Sequence, residues 1–175
     1  MDEIEKGFSA LVKELKELQS EKEEIPDEIR ERGSTLLQRM AKSASPIIKT
    51  IGLNLLEKGK SGASGEIYDS LFYTKKMIVL GKTEPEKYRP DDINKKVDTQ
   101  LCALSEDGEF FEVMYSSDGF IIDSYLNPLS TTEALDIYGN EITFMLYRAL
   151  RDYLVEERDL VDALGKTLEY IYSEE

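Results

Sequence analysis

Apolar residues near the start of the chain recur at alternating steps of four and three, at Ile4, Phe8, Leu11, Leu15 and Leu18. That spacing predicts an amphipathic helix from about Glu3 to Glu23, with Lys13, Glu14, Lys16, Glu17 and Lys22 on its outer face. The same residues form a narrow heptad seam, which has to pack either on the protein's own core or on a second subunit. Ile25-Pro26-Asp27 predicts the end of this helix and the start of another, because proline cannot continue the hydrogen-bond ladder but opens a helix well. A helical hairpin is therefore expected. Its second arm carries Ile29, Leu36, Leu37, Met40, Ala44, Ile47, Ile48, Ile51 and Leu55 toward one side, with Pro46 kinking or breaking it.

The glycine-rich run Gly59–Gly65 predicts a loop that closes the helical region. The period then changes. Ile67–Thr74 and Met77–Gly81 are rich in β-branched and aromatic residues and predict strands, while two prolines and many charges make Thr83–Val97 a surface loop. Three short strands follow, over Asp98–Leu104, Glu109–Tyr115 and Phe120–Leu126. The connectors Ser105-Glu106-Asp107-Gly108 and Ser116-Ser117-Asp118-Gly119 both hold Asp-Gly, a strong hairpin signal, so an antiparallel meander is expected. Even-length loops would place Phe111, Val113 and Tyr115 on one face with Phe120, Ile122, Leu126, Cys102 and Leu104. Leu101, Phe110, Met114, Ile121 and Tyr125 would then occupy the other face. Ser130-Thr131-Thr132-Glu133 is a capping box that opens helix to the C-terminus, with Gly139 and Gly165 as weak points.

The fold class so defined is α+β: an N-terminal helical hairpin, a central antiparallel sheet of about five strands with a three-strand meander, and C-terminal helices. One domain over residues 1–175 is expected, with a helical part at 1–58, the sheet at 66–126 and the helices at 130–175.

Composition narrows the chemistry. The 175 residues hold no histidine and a single cysteine. Without histidine there is no Ser-His or Cys-His nucleophile and no imidazole metal ligand, which leans against an enzyme. A lone cysteine, the absence of a signal-peptide pattern and the lack of a ~20-residue apolar run favour a cytoplasmic protein without a membrane span. The net charge of −14 argues against nucleic acid as a partner. That charge is segregated, with −6 over residues 1–29, +5 over 30–60, +1 over 61–97 and −14 over 98–175.

Gly-Lys-Ser/Thr occurs at Gly59, Gly81 and Gly165, but the glycine that a phosphate loop needs five positions earlier is Asn54, Lys76 or Leu160. Asp92-Ile93-Asn94 begins like a calcium loop and fails at Lys96 and Val97. Glu112 and Asp123 would face each other across a four-residue hairpin, either as a solvated strand face or as a hard-cation pair. Cys102 reads as a buried inert thiol. No metal and no cofactor is expected. Arg32, Arg39, Lys42 and Lys49 form a basic stripe, either solvated or facing an acidic partner such as the C-terminal helices.

The sequence alone does not identify an activity. It favours a non-catalytic interaction or assembly module, a homodimer or protein-partner binder through Ile4, Phe8, Leu11, Leu15 and Leu18. The alternative is a small-molecule sensor or carrier, with a pocket between the sheet and the C-terminal helices lined by Tyr115, Phe120, Tyr125 and Tyr147.

Overall fold

The computed structural model describes residues 3–172. Its first element is a single helix, α1, over Glu3–Ile51, about 70 Å long, with Pro26 and Pro46 both inside it. The expected hairpin is thus one continuous rod. Proline removes one backbone donor and crowds the preceding turn, but Pro26 and Asp27 have no glycine beside them to reverse the chain, and the helix runs on through both prolines. The helix stops at Gly52, whose N–H donates to the Ile48 carbonyl at 2.7 Å. A Cβ there would lie 2.6 Å from that oxygen and 3.0 Å from the Lys76 Cβ, so the turn into the sheet requires glycine.

Five antiparallel strands follow: β1 Leu53–Ser61, β2 Ile67–Thr83, β3 Thr99–Ser105, β4 Phe110–Ser117 and β5 Ile121–Leu129. The two strands expected at Ile67–Thr74 and Met77–Gly81 are halves of the single long β2. The fifth strand is β1, in the stretch read as helix end and glycine loop. Gly59 is there because the chains approach closely; a Cβ would sit 2.7 Å from the Ile67 side chain. The first half of β2 pairs with β1 and its second half with β3, and this bent strand lets the sheet curl. Closure comes from Lys58–Lys60 of β1 pairing with Ile121–Asp123 of β5, which makes a small barrel in the order β1-β2-β3-β4-β5.

The meander matches expectation in its strands, and Gly108 and Gly119 adopt the left-handed conformation at φ of 79° and 89°. Its first register differs by one residue. Leu104 pairs with Phe110 and Cys102 with Glu112, because the Ser105 N–H donates to the Glu109 carbonyl at 2.9 Å and leaves a turn of three residues, Glu106 to Gly108, where four were expected. Cys102 and Leu104 therefore lie on the face of Phe110, not that of Phe111. Barrel-facing Met77, Ala103, Phe111 and Val113 form one apolar cluster with Leu55, Tyr73, Leu101, Tyr115 and Leu126 packed around them. On the outer face, Leu80, Cys102, Leu104, Phe110 and Leu129 are covered by Leu37, Ala41, Ala44 and Ile48 of α1.

Two further helices complete that cover, α2 over Thr131–Tyr138 and α3 over Glu141–Tyr172. The capping box is formed: the Ser130 hydroxyl accepts from the Glu133 N–H at 3.2 Å, and the Glu133 carboxylate accepts from the Ser130 N–H at 2.8 Å. Gly139 terminates α2, while α3 runs unbroken through Gly165. Among the described residues no helix is long and apolar enough to cross a membrane.

Candidate functional site

Only the C-terminal part of α1 rests on the barrel. Arg30 pairs with Asp136, Ser34 shares hydrogen bonds with Thr131 and Thr132 at 2.8 and 3.2 Å, and buried contacts begin at Leu37. Upstream, every described side chain from Lys6 to Arg32 is exposed except Val12. The seam residues Phe8, Leu11, Leu15 and Leu18 are 68%, 61%, 60% and 55% exposed. The Ile4 side chain lies outside the described residues. The far end of α3 is similarly bare, with Val161, Leu164, Leu168 and Ile171 exposed at steps of three and four. Between the two helices, next to the barrel, lies an apolar groove of about 460 Å³ lined by Met40, Ile47, Leu146, Tyr147, Leu150 and Leu154 among others.

The basic stripe is on the surface. Arg32 pairs with Glu28 of its own helix, the Arg39 carbonyl accepts from the Ser43 hydroxyl at 2.9 Å, and the Lys49 carbonyl accepts from Lys76 Nζ at 2.9 Å. The side chains of Arg39, Lys42 and Lys49 make no ion pair among the described residues. The four aromatic candidates are not brought together. Tyr115 packs in the barrel cluster, Phe120 is exposed in the β4–β5 turn, Tyr125 lies under the Arg89 guanidinium at 5.9 Å, and Tyr147 lines the groove on α3.

Glu112 and Asp123 do not face each other, because β4 and β5 pair further along than a Ser116–Gly119 loop allows. Glu112 is opposite Asn127, and Asp123 is opposite Ser116. Each carboxylate has its own surroundings. Glu112 is 4% exposed on the helix-facing side of the barrel. It accepts from Gln100 Nε2 at 3.0 Å, Asn127 Nδ2 at 3.2 Å and the Tyr138 hydroxyl at 2.8 Å, so three neutral donors hold it in place. Burial and the nearby Glu112 push the opposing Cys102 thiol up to about 12, which keeps it protonated and unreactive near neutrality. Burial likewise raises the Tyr138 hydroxyl above its ordinary value.

Asp123 belongs to an ion-pair network that sequence reasoning missed. Arg89, only 5% exposed, reaches out of the 84–98 connection. Its Nε donates to Asp91 at 2.9 Å, its Nη2 to the same carboxylate at 2.5 Å, and its Nη1 to Asp123 at 2.8 Å, while Lys95 pairs with the other Asp123 oxygen. The Arg89 hydrogen bond, ahead of a smaller opposing effect of burial, holds the Asp91 carboxyl below its usual range. Adjacent Pro90 and Asp91 mark a turn, but nothing in the local pattern points to Asp123 some thirty positions away. Among the described residues no cluster of three or more metal-ligating side chains exists. Compared with protein-family models, curated proteins and solved structures, the chain matches none.

Proposed function

We propose that the protein is a non-catalytic assembly module that pairs with a second copy of itself through the projecting half of α1. The observation that carries this reading is a helical segment whose heptad apolar seam is exposed at Phe8, Leu11, Leu15, Leu18 and Ile29. A solitary helix in water is marginal, and an exposed a/d stripe is stabilised by meeting its like.

The pattern favours one arrangement. With Phe8, Leu15, Lys22 and Ile29 at a positions, the d positions are Ile4, Leu11, Leu18 and Ile25, and the g positions include Glu14, Glu21 and Glu28. An antiparallel pair would set those glutamates against each other. A parallel pair sets Glu14 against Gln19 of the second copy and Gly7 against its Val12, without like-charge contact. Lys22 is the single polar a position, a device that costs stability and favours a defined register and few strands. Further on, the d series turns to Arg32 and Arg39, so the seam ends where α1 reaches the barrel.

The test is light scattering on the full chain with cysteine cross-linking. Leu18→Cys sits at d, where the two thiols of an in-register parallel pair approach each other. Mild oxidation is expected to give a covalent dimer with Leu18→Cys and none with Lys13→Cys, which lies on the outer face. Cys102 is buried and does not compete. A wild-type chain that keeps the mass of one copy at about 100 µM overturns the reading.

A further inference from the structure

At the rim where β1 closes on β5, the 84–98 connection folds back beside the β4–β5 hairpin. Between them lies a cleft of about 330 Å³, lined by Lys58, Lys95, Lys96, Ser116, Ser117 and Asp123 among others. This is the small end of the range for ligand cavities. Three lysines stand in its wall in a chain whose net charge is −14.

The carboxylates here are already engaged. Asp123 is held by Arg89 and Lys95. Asp118 accepts the N–H groups of Ile121 at 2.7 Å and Phe120 at 2.9 Å, which hold its carboxyl below the usual range. Lys58 and Lys96, in contrast, make no ion pair among the described residues. One lining group is left over. Ser116 is 6% exposed, and its hydroxyl oxygen is buried without a hydrogen-bond partner among the described residues. A buried hydroxyl with no partner is costly, and such groups in a cleft wall point to something that binds there.

The available donors define the chemistry. Arg89, the one planar fork nearby, is already spent on Asp91 and Asp123. What remains is a pair of ammonium groups and the hydroxyls of Ser116 and Ser117, which suit a tetrahedral oxyanion with oxygens pointing several ways better than a flat carboxylate. We propose that this rim cleft binds a small phosphate-bearing molecule, with Lys58 and Lys96 flanking the phosphate and the Ser116 hydroxyl donating to it from the floor. The cleft is separate from the α1 seam, so the site does not depend on pairing.

The test is calorimetric titration of the full chain with inorganic phosphate, glycerol phosphate and acetate, at constant ionic strength set with chloride. Fixed ionic strength matters because phosphate also stabilises proteins by exclusion from their surfaces. The expected result is saturable binding of a phosphate, weakened by about tenfold or more in Lys58→Glu with Lys96→Glu. Ser116→Ala, which removes a hydroxyl without a hydrogen-bond partner among the described residues, is expected to keep or raise its unfolding midpoint and to weaken binding roughly 2- to 10-fold, the worth of one hydrogen bond. Equal affinity for inorganic and glycerol phosphate identifies the free ion as sufficient; tighter glycerol phosphate identifies an ester that fills the cleft. Either supports the site. It is overturned if neither phosphate saturates, if acetate binds as tightly, or if the folded charge-reversed variant binds like wild type.

Discussion

Replacing Leu11 and Leu15 by serine separates a seam that joins two chains from one that serves a single core. Each leucine is about 60% exposed in the isolated chain. Complete burial of such a side chain yields roughly 1.5–3 kcal/mol, so pairing has about 1–2 kcal/mol per leucine left to gain. Two leucines from each chain make four in the pair, and their loss removes about 4–7 kcal/mol of association energy. At 1.4 kcal/mol per factor of ten, the dimer dissociation constant is expected to rise by roughly three to five orders of magnitude. The barrel loses nothing, because neither leucine belongs to either buried cluster. Sedimentation or light scattering should therefore report a lighter species. Far-UV circular dichroism should lose signal, since the projecting half of α1 frays once unpaired. Near-UV tyrosine signals, which report the packed barrel, should stay. Two results refute the reasoning. One is a double variant with the mass of wild type. The other is a variant whose barrel unfolds at lower denaturant regardless of protein concentration, which would place the seam inside the monomer.

Three further expectations follow from other parts of the molecule. Arg89→Met leaves Asp91 and Asp123 without their shared cation; because both carboxylates keep some solvent, the loss should be roughly 2–4 kcal/mol, below the full cost of breaking a buried pair, read from urea unfolding and partly restored by adding Asp123→Asn. Gly52→Ala drives a Cβ into the Ile48 carbonyl and the Lys76 side chain, at a cost of roughly 1–3 kcal/mol, whereas Gly81→Ala meets only the mobile end of Met145 and should cost less; thermal unfolding ranks the two. The Cys102 thiol, pushed up to about 12 from an ordinary 9.0, should resist alkylation at pH 8 until the protein unfolds. Because the folded value lies above the unfolded one and the thiolate is the disfavoured form, this group adds nothing adverse below about pH 9 and lowers stability as pH climbs toward 12; a Cys102→Ala variant should lack that part of the alkaline decline.

What the sequence discloses follows from which physical constraint acts locally. The meander was legible because Asp-Gly connectors need a left-handed residue, and Gly108 and Gly119 provide it. Register was not, since a turn dipeptide does not say how many neighbours join the loop. A turn one residue shorter than expected turned Cys102 and Leu104 to the helix side, and a four-residue shift in the β4–β5 pairing separated Glu112 from Asp123 while leaving the face of Val113 and Leu126 as expected. β1 was hidden because Leu53, Leu55 and Leu56 continue the apolar run of α1 and Gly59 resembles a loop; its glycine answers a close approach by Ile67, which only the assembled sheet reveals. The Arg89 network depends on the same closure and left no periodic trace.

The long first helix carries this reasoning furthest. Leu37, Ala41, Ala44 and Ile48 repeat at four, three and four, and so do Ile4, Phe8, Leu11, Leu15 and Leu18. Periodicity treats the two sets alike, as stripes that must be covered. The barrel covers the first set and ends before the second, because its outer face is only as broad as the strands beneath α1 and the α2 helix beside it. A stripe of the same strength is thus core in one half of the helix and surface in the other. The difference lies in reach: α1 extends roughly 40 Å past its contacts with α2, and its described side chains there are exposed except Val12. Intrachain packing therefore explains the pattern from Leu37 onward, and for the residues before Arg30 the same pattern is the one that the proposed pairing of two chains would cover.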